Sequence, residues 1–164
     1  MLDNSSKNVP TKLMTIGYEG SSITDFIATL TACDVTTLID VRELPLSRKK
    51  GFSKRALSGA LEGAGIKYQH VRQLGDPKPG RDAARSGDMQ SFRRIFGNHI
   101  KQESAQTALN SVVPTILEGG ACLLCFERCH RDCHRAIVAN ELTKIANIEL
   151  AHIGVKHGIA ERAY

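Results

Sequence analysis

The chain has 164 residues, 41% of them hydrophobic and 24% charged, and carries a formal net charge of +5. That length buries one core but not two ordinary ones, so a single globular unit is expected. No apolar run approaches the length that crosses a bilayer, which argues against a membrane protein, and the mild positive balance favours polyanionic partners without requiring them.

In chain order, MLDNSSKNVPTK (residues 1–12) is polar and reads as a flexible lead. LMTIG (13–17) is a strand-like run closed by glycine, and Ile23, Phe26, Ile27 and Leu30 then recur at helical spacing behind a Ser21 or Ser22 cap. TTLIDVR (36–42) is a second strand, KRALSGALEGAG (54–65) a helix with Leu57 and Leu61 on one face, and IKYQHV (66–71) a third strand. RQLGDPKPGRDAARSGD (72–88) is rich in proline, glycine and charge and reads as a long loop, of a length that suits a lid or binding element. Two helical patterns follow, 89–102 and 104–119, the second expected to break near Pro114. ACLLCF (121–126) is a buried strand, HRAIVANELTKIA (134–146) a helix and IELAHI (148–153) a last strand. Continuous apolar strands alternating with helices predict a three-layer α/β/α, Rossmann-like domain over 13–155, with a mainly parallel sheet of about five strands and a short tail at 156–164.

In such sheets ligands gather where strands end and helices begin. Tyr18 follows the first strand; Asp40, Arg42, Ser47 and Arg48 follow the second; Glu127, Cys133, His134 and Arg135 follow the fourth. Arginines converging on one crevice suit phosphate or carboxylate oxygens, which match the paired donors of guanidinium. The plainer alternative is that Asp40 and Arg42 pair with each other, that Tyr18 is a packed aromatic, and that Arg48, Lys49, Lys50, Lys54 and Arg55 form a solvated basic face.

Five cysteines are an odd number, and four of them lie within residues 122–133, which suits a reducing cytoplasm better than a disulfide framework. The segment CFERCHRDCHR (125–135) admits three readings. As a metal site, Cys125, Cys129 and Cys133 with His130 and His134 offer zinc its usual donors, although a strand and the helix after it diverge and the close cysteine pairs of structural zinc sites are missing. As a nucleophile's surroundings, the helix start at Cys133 supplies amides and Arg135 that favour a thiolate, with His134 or Glu127 moving protons; the competing view is a small buried cysteine. As an anion site, the turn resembles a helix N-terminus prepared for phosphate, with Glu127 opposing the charge.

The ordered segments TIGYEG, LIDVRELPLSRKKGFS, GIKYQHVRQLG and LLCFERCHRDCHR closely resemble the family known as domain of unknown function 488 over about residues 14–140. The resemblance implies a single α/β domain with its motif residues at the strand exits, among them Thr15, Gly17, Asp40, Arg42, Ser47, Arg48, Tyr68, Cys125, Glu127, Cys133, His134 and Arg135; it implies no agreed reaction. Here Tyr18 and Glu19 stand where histidine and serine often occur, and Cys129-His130 replace a charged or proline-containing turn, which removes the third thiolate from the zinc reading.

Taken together, these residues point to an enzyme, or a degenerate enzyme, acting on a phosphorylated small molecule or nucleic acid, with hydrolysis and modification of nucleic acid both fitting as the reaction. Arg42, Arg48 and Arg135 would hold the anion with Tyr18 and Ser47 beside them, Asp40 and Glu127 would position groups or move protons, and Cys133 with His134 would form the reactive centre. A non-catalytic basic module that grips nucleic acid and a zinc-stabilised domain are the rivals. The oligomeric state and any cofactor are not legible.

Overall fold

A computed structural model describes residues 9–162. Five strands, β1 (Thr11–Gly17), β2 (Thr37–Asp40), β3 (Lys67–His70), β4 (Ala121–Cys125) and β5 (Ile148–His152), form one sheet in the order β3-β2-β4-β1-β5. Every neighbouring pair is parallel. Six helices connect them: α1 (Ile23–Ala32), α2 (Lys54–Gly63), α3 (Lys78–Arg85), α4 (Met89–Ile100), α5 (Glu103–Leu117) and α6 (His134–Ile145). This is the three-layer α/β/α arrangement that the alternation of apolar strands and amphipathic helices anticipates.

Because successive strand residues face opposite sides, the sheet feeds two cores. Met14, Ile16, Leu38, Cys122 and Leu124 pack with Phe26 and Leu30 of α1 and Leu57 and Leu61 of α2. Leu13, Ile39, Ala121 and Leu123 pack on the other face with Phe96, Leu109, Val112 and Val138 of α4, α5 and α6. Ser22 caps α1, its hydroxyl accepting from the Asp25 amide.

Two local expectations need correction. The stretch 72–88 is not one loop: Arg72–Leu74 is a 3-10 turn and Lys78–Arg85 is helix α3. Pro79 falls in the first turn of α3, where a missing amide costs no helical bond, so proline there starts a helix instead of breaking one. Nor does Pro114 end its helix, since α5 runs through it to Leu117. Pro114 and Asn110, whose carbonyl loses its amide partner, are both exposed, so solvent can replace the bond.

The expected N-terminal lead lies outside the described residues as far as residue 8, and β1 begins at Thr11. At the other end, the Asp25 carboxylate of α1 accepts from the amides of Gly158 and Ala160 at 2.9 and 3.1 Å, tying residues 158–160 to the domain. Among the described residues no helix is long and apolar enough to cross a membrane.

Candidate active centre

The strand order decides which loops meet. β4 lies between β1 and β2, with Gly17 opposite Cys125 and Asp40 opposite Leu124, so three strands that are distant in sequence end nearly level. Their exits therefore share one edge of the sheet, the carboxyl edge where parallel α/β proteins hold ligands. Strand alternation then divides the side chains there into two clusters. Asp40 points to the α1–α2 face, like its partner Leu124, whereas Cys125 points to the α4–α6 face.

The first cluster is an internal salt bridge. Asp40 is fully buried and Arg42 is 6% exposed. One carboxylate oxygen of Asp40 accepts from the Arg42 amide at 3.1 Å and from Nε at 2.9 Å; the other accepts from Nη2 at 2.8 Å and from the Tyr68 hydroxyl at 2.5 Å. Nη1 of Arg42 donates to the Phe52 carbonyl at 2.7 Å and to the Tyr18 hydroxyl at 3.2 Å. The Tyr18 ring stacks on Phe52 with centroids 4.4 Å apart. Burial works against the guanidinium charge, but the Asp40 carboxylate more than offsets it and keeps Arg42 protonated. Burial and the same carboxylate push the Tyr68 hydroxyl far above its ordinary pKa.

The second cluster carries sulfur. Cys125 ends β4, Cys133 is the N-cap of α6 and His134 is its first residue, and all three are at least 95% buried. His134 Nδ1 lies 3.5 Å from Cys125 Sγ and 3.9 Å from Cys133 Sγ. The Cys125 thiol reaches the Glu127 carboxylate at 3.1 Å. The other ring nitrogen, Nε2, sits 2.6 Å from the Val41 carbonyl. A carbonyl only accepts, so Nε2 carries a hydrogen, and any proton that the ring gains or loses is at Nδ1, the nitrogen facing both sulfurs. The Phe96 ring meets the imidazole edge-on, 5.2 Å between centroids, and holds its plane.

Burial pushes both thiols upward in pKa, Cys133 strongly. Burial also disfavours a charged His134, but the Cys133 sulfur, the Val41 carbonyl and the Glu127 carboxylate outweigh it and lift the imidazole to about 9. Two further groups of the motif fall elsewhere. Cys129 is exposed and outside the cluster, and His130 stacks flat on His152, with centroids 3.8 Å apart.

Arg135, 1% exposed, braces the turn after β4. Its Nε donates to Thr15 Oγ1 at 3.1 Å, Nη1 to the Glu127 carbonyl and Nη2 to the Arg128 carbonyl at 3.2 Å. The brace requires Gly17, because a Cβ there would stand 1.8 Å from the Glu127 carbonyl oxygen and 2.8 Å from Arg135 Nη1.

Sequence reasoning passed over Asp76. It is 5% exposed, and its Oδ1 has no hydrogen-bond partner among the described residues. Burial raises this carboxyl to about 6, against the opposing charges of His134 and Arg81. Two glycines make room for its loop: a Cβ at Gly80 would meet Asp76 Oδ1 at 2.0 Å, and one at Gly75 would meet the Glu43 amide nitrogen at 2.2 Å. Arg81 closes the loop by donating to the Asp76 carbonyl at 2.7 Å and to Glu43 at 2.5 Å. The place of Asp76 directly after Leu74-Gly75, the LG of the shared motif, was the available signal.

Of the residues expected at the site, Glu127, Cys133 and His134 therefore stand together with Cys125. Asp40, Arg42 and Tyr18 form the neighbouring salt-bridge cluster. Arg135 lies beneath the β4 turn. Ser47 stitches its own loop, its Oγ accepting from the Lys49 amide at 3.1 Å, and Arg48 is exposed on the same loop.

A parallel α/β/α sandwich with two buried thiols and a buried imidazole at its carboxyl edge, joined there by the partly exposed Glu127 carboxylate, defines the class. Residues 22–142, most of the chain, match the family described as Domain of unknown function DUF488, and the chain belongs to that family. No curated protein and no solved structure matches it.

Proposed function

We propose that this protein is an enzyme acting on a phosphate-bearing substrate, a nucleotide or nucleic acid, with Cys125, Glu127, Cys133 and His134 as its reacting centre. The observation that carries the reading is the cluster itself. Two thiols flank one imidazole and one of them reaches a carboxylate at the carboxyl edge, where apolar side chains would fill the space at lower cost in desolvation. Glu127 is the member at the partly exposed surface, placed to exchange a proton with a bound substrate, while His134 holds or releases one at Nδ1.

Asp40, Arg42 and Arg135 enter this reading as positioning residues. The donors of Arg42 go to Asp40, Phe52 and Tyr18, and those of Arg135 go to Thr15 and two loop carbonyls. Attraction of the anion falls instead to exposed cations on the loops leaving β2 and β4, Arg48, Lys50, Arg128 and Arg131. A thermal-shift series against nucleotides, sugar phosphates and oligonucleotides tests the assignment. At least one class should raise the melting temperature, and Glu127→Gln should keep that shift while turnover of the same compound falls by about 100-fold or more. A protein that none of them stabilises would remove the reading.

A further inference from the structure

Three observations at the sulfur cluster call for a guest. First, Cys125 Sγ, Cys133 Sγ and one nitrogen of His134 all lie within 4.8 Å of one another. With metal–sulfur bonds of about 2.3 Å and a metal–nitrogen bond of about 2.0 Å, a tetrahedral centre sets its sulfur and nitrogen ligands about 3.5 Å apart. The observed separations are 3.5 and 3.9 Å. Second, the bond between His134 Nε2 and the Val41 carbonyl is the support that orients a ligating imidazole and leaves its other nitrogen for the metal. The Arg135 amide likewise donates to Cys133 Sγ at 3.4 Å from the start of α6 and fixes the direction of that sulfur. Third, Glu127 sets a carboxylate oxygen 3.1 Å from Cys125 Sγ, at the partly exposed end of the cluster.

We infer that Cys125, Cys133 and His134 are three ligands of a tetrahedral divalent metal site that takes a borderline-soft cation, zinc above all, with the Glu127 carboxylate closing the fourth position or facing a water held there. Two thiolates and an imidazole select zinc over the hard cations magnesium and calcium, which prefer oxygen. The third soft ligand is His134 and not Cys129, so the motif needs no third thiolate. Metal on His134 Nδ1 takes the place of the proton that the enzyme reading puts there, so the two readings differ on His134 and share Glu127: a zinc-loaded protein without turnover would keep the first and remove the second.

The test uses the full chain, stripped with a chelator under reducing conditions and titrated with zinc. About one equivalent should bind per chain and raise the melting temperature, and cobalt(II) in its place should show the sulfur-to-metal charge-transfer band and visible bands of a tetrahedral centre. Cys133→Ser and His134→Gln should each weaken zinc binding by more than about 100-fold, beyond the effect of losing a supporting group, while Cys129→Ser leaves it unchanged. Where a ligand variant does not fold, the wild-type titration decides alone. Wild-type protein that takes up no zinc, a cobalt spectrum without the sulfur band, or equal loss in Cys129→Ser and Cys133→Ser would overturn the assignment.

Discussion

Replacing Asp40 by asparagine keeps the shape of the side chain and removes its charge. Asp40 is fully buried and accepts four hydrogen bonds, three of them from Arg42, which is itself 6% exposed. The variant leaves a buried guanidinium without its counter-charge and turns an amide N–H toward donors of Arg42 alone or of Arg42 and Tyr68, depending on which way it faces. Removing one partner of a buried ion pair typically costs about 3–5 kcal/mol. For a chain of this size each kcal/mol lowers the melting temperature by about 2–4 °C, so Asp40→Asn should lose about 6–20 °C. Differential scanning calorimetry reads that shift directly. The cause can be separated from general damage with Arg42→Gln in the same chain, which leaves no bare charge and should recover at least about 1 kcal/mol relative to additive losses. An Asp40→Asn protein melting within about 2 °C of wild type, or a double variant as unstable as the two single losses summed, would refute the view that the pair is a buried support.

Gly17→Ala should destabilise the protein by about 3 kcal/mol or more, since the new Cβ meets the Glu127 carbonyl oxygen at 1.8 Å and that oxygen, being backbone, cannot swing aside; chemical denaturation checks this. Gly20→Ala is the contrast, because its φ of +76° imposes strain but nothing lies within 4 Å, so the loss should be only about 1–2 kcal/mol. Asp25 provides the pH prediction. Amide bonds from Gly158 and Ala160 hold its carboxyl below its ordinary pKa, so the docking that it supports is complete above the unfolded value and is lost only as pH falls through the lower folded value. The amide resonances of Gly158 and Ala160 should accordingly titrate below the usual aspartate pKa of about 3.9, and a midpoint at or above that value would count against the tie.

The elements were legible because their causes are local. Short continuous apolar runs such as ACLLC and period-3.6 patterns such as Ile23, Phe26 and Leu30 announce buried strand and helix wherever they occur. The exception is 72–88, where proline and glycine suggest a loop, although Pro79 sits where a helix accepts proline and Gly80 leaves room for the Asp76 carboxyl. Asp76 stayed hidden for a related reason: a lone aspartate in a glycine-proline stretch looks solvated until its burial is known.

Sequence by itself therefore determined the α/β layering, the parallel sheet, and the candidacy of the three strand exits and the CFERCHRDCHR segment. Only the tertiary structure decided how those candidates are grouped. Insertion of β4 between β1 and β2 brings the exits level, and the alternation of side chains across the sheet sends Asp40 and Arg42 to one face and Cys125 to the other, where Cys133 and His134 at the start of α6 reach it. Strand order and facing are long-range properties set by which apolar surfaces bury one another, so no local stretch of residues encodes that the nitrogen facing both sulfurs belongs to His134, or that the carbonyl steadying its ring comes from Val41, ninety-three positions away.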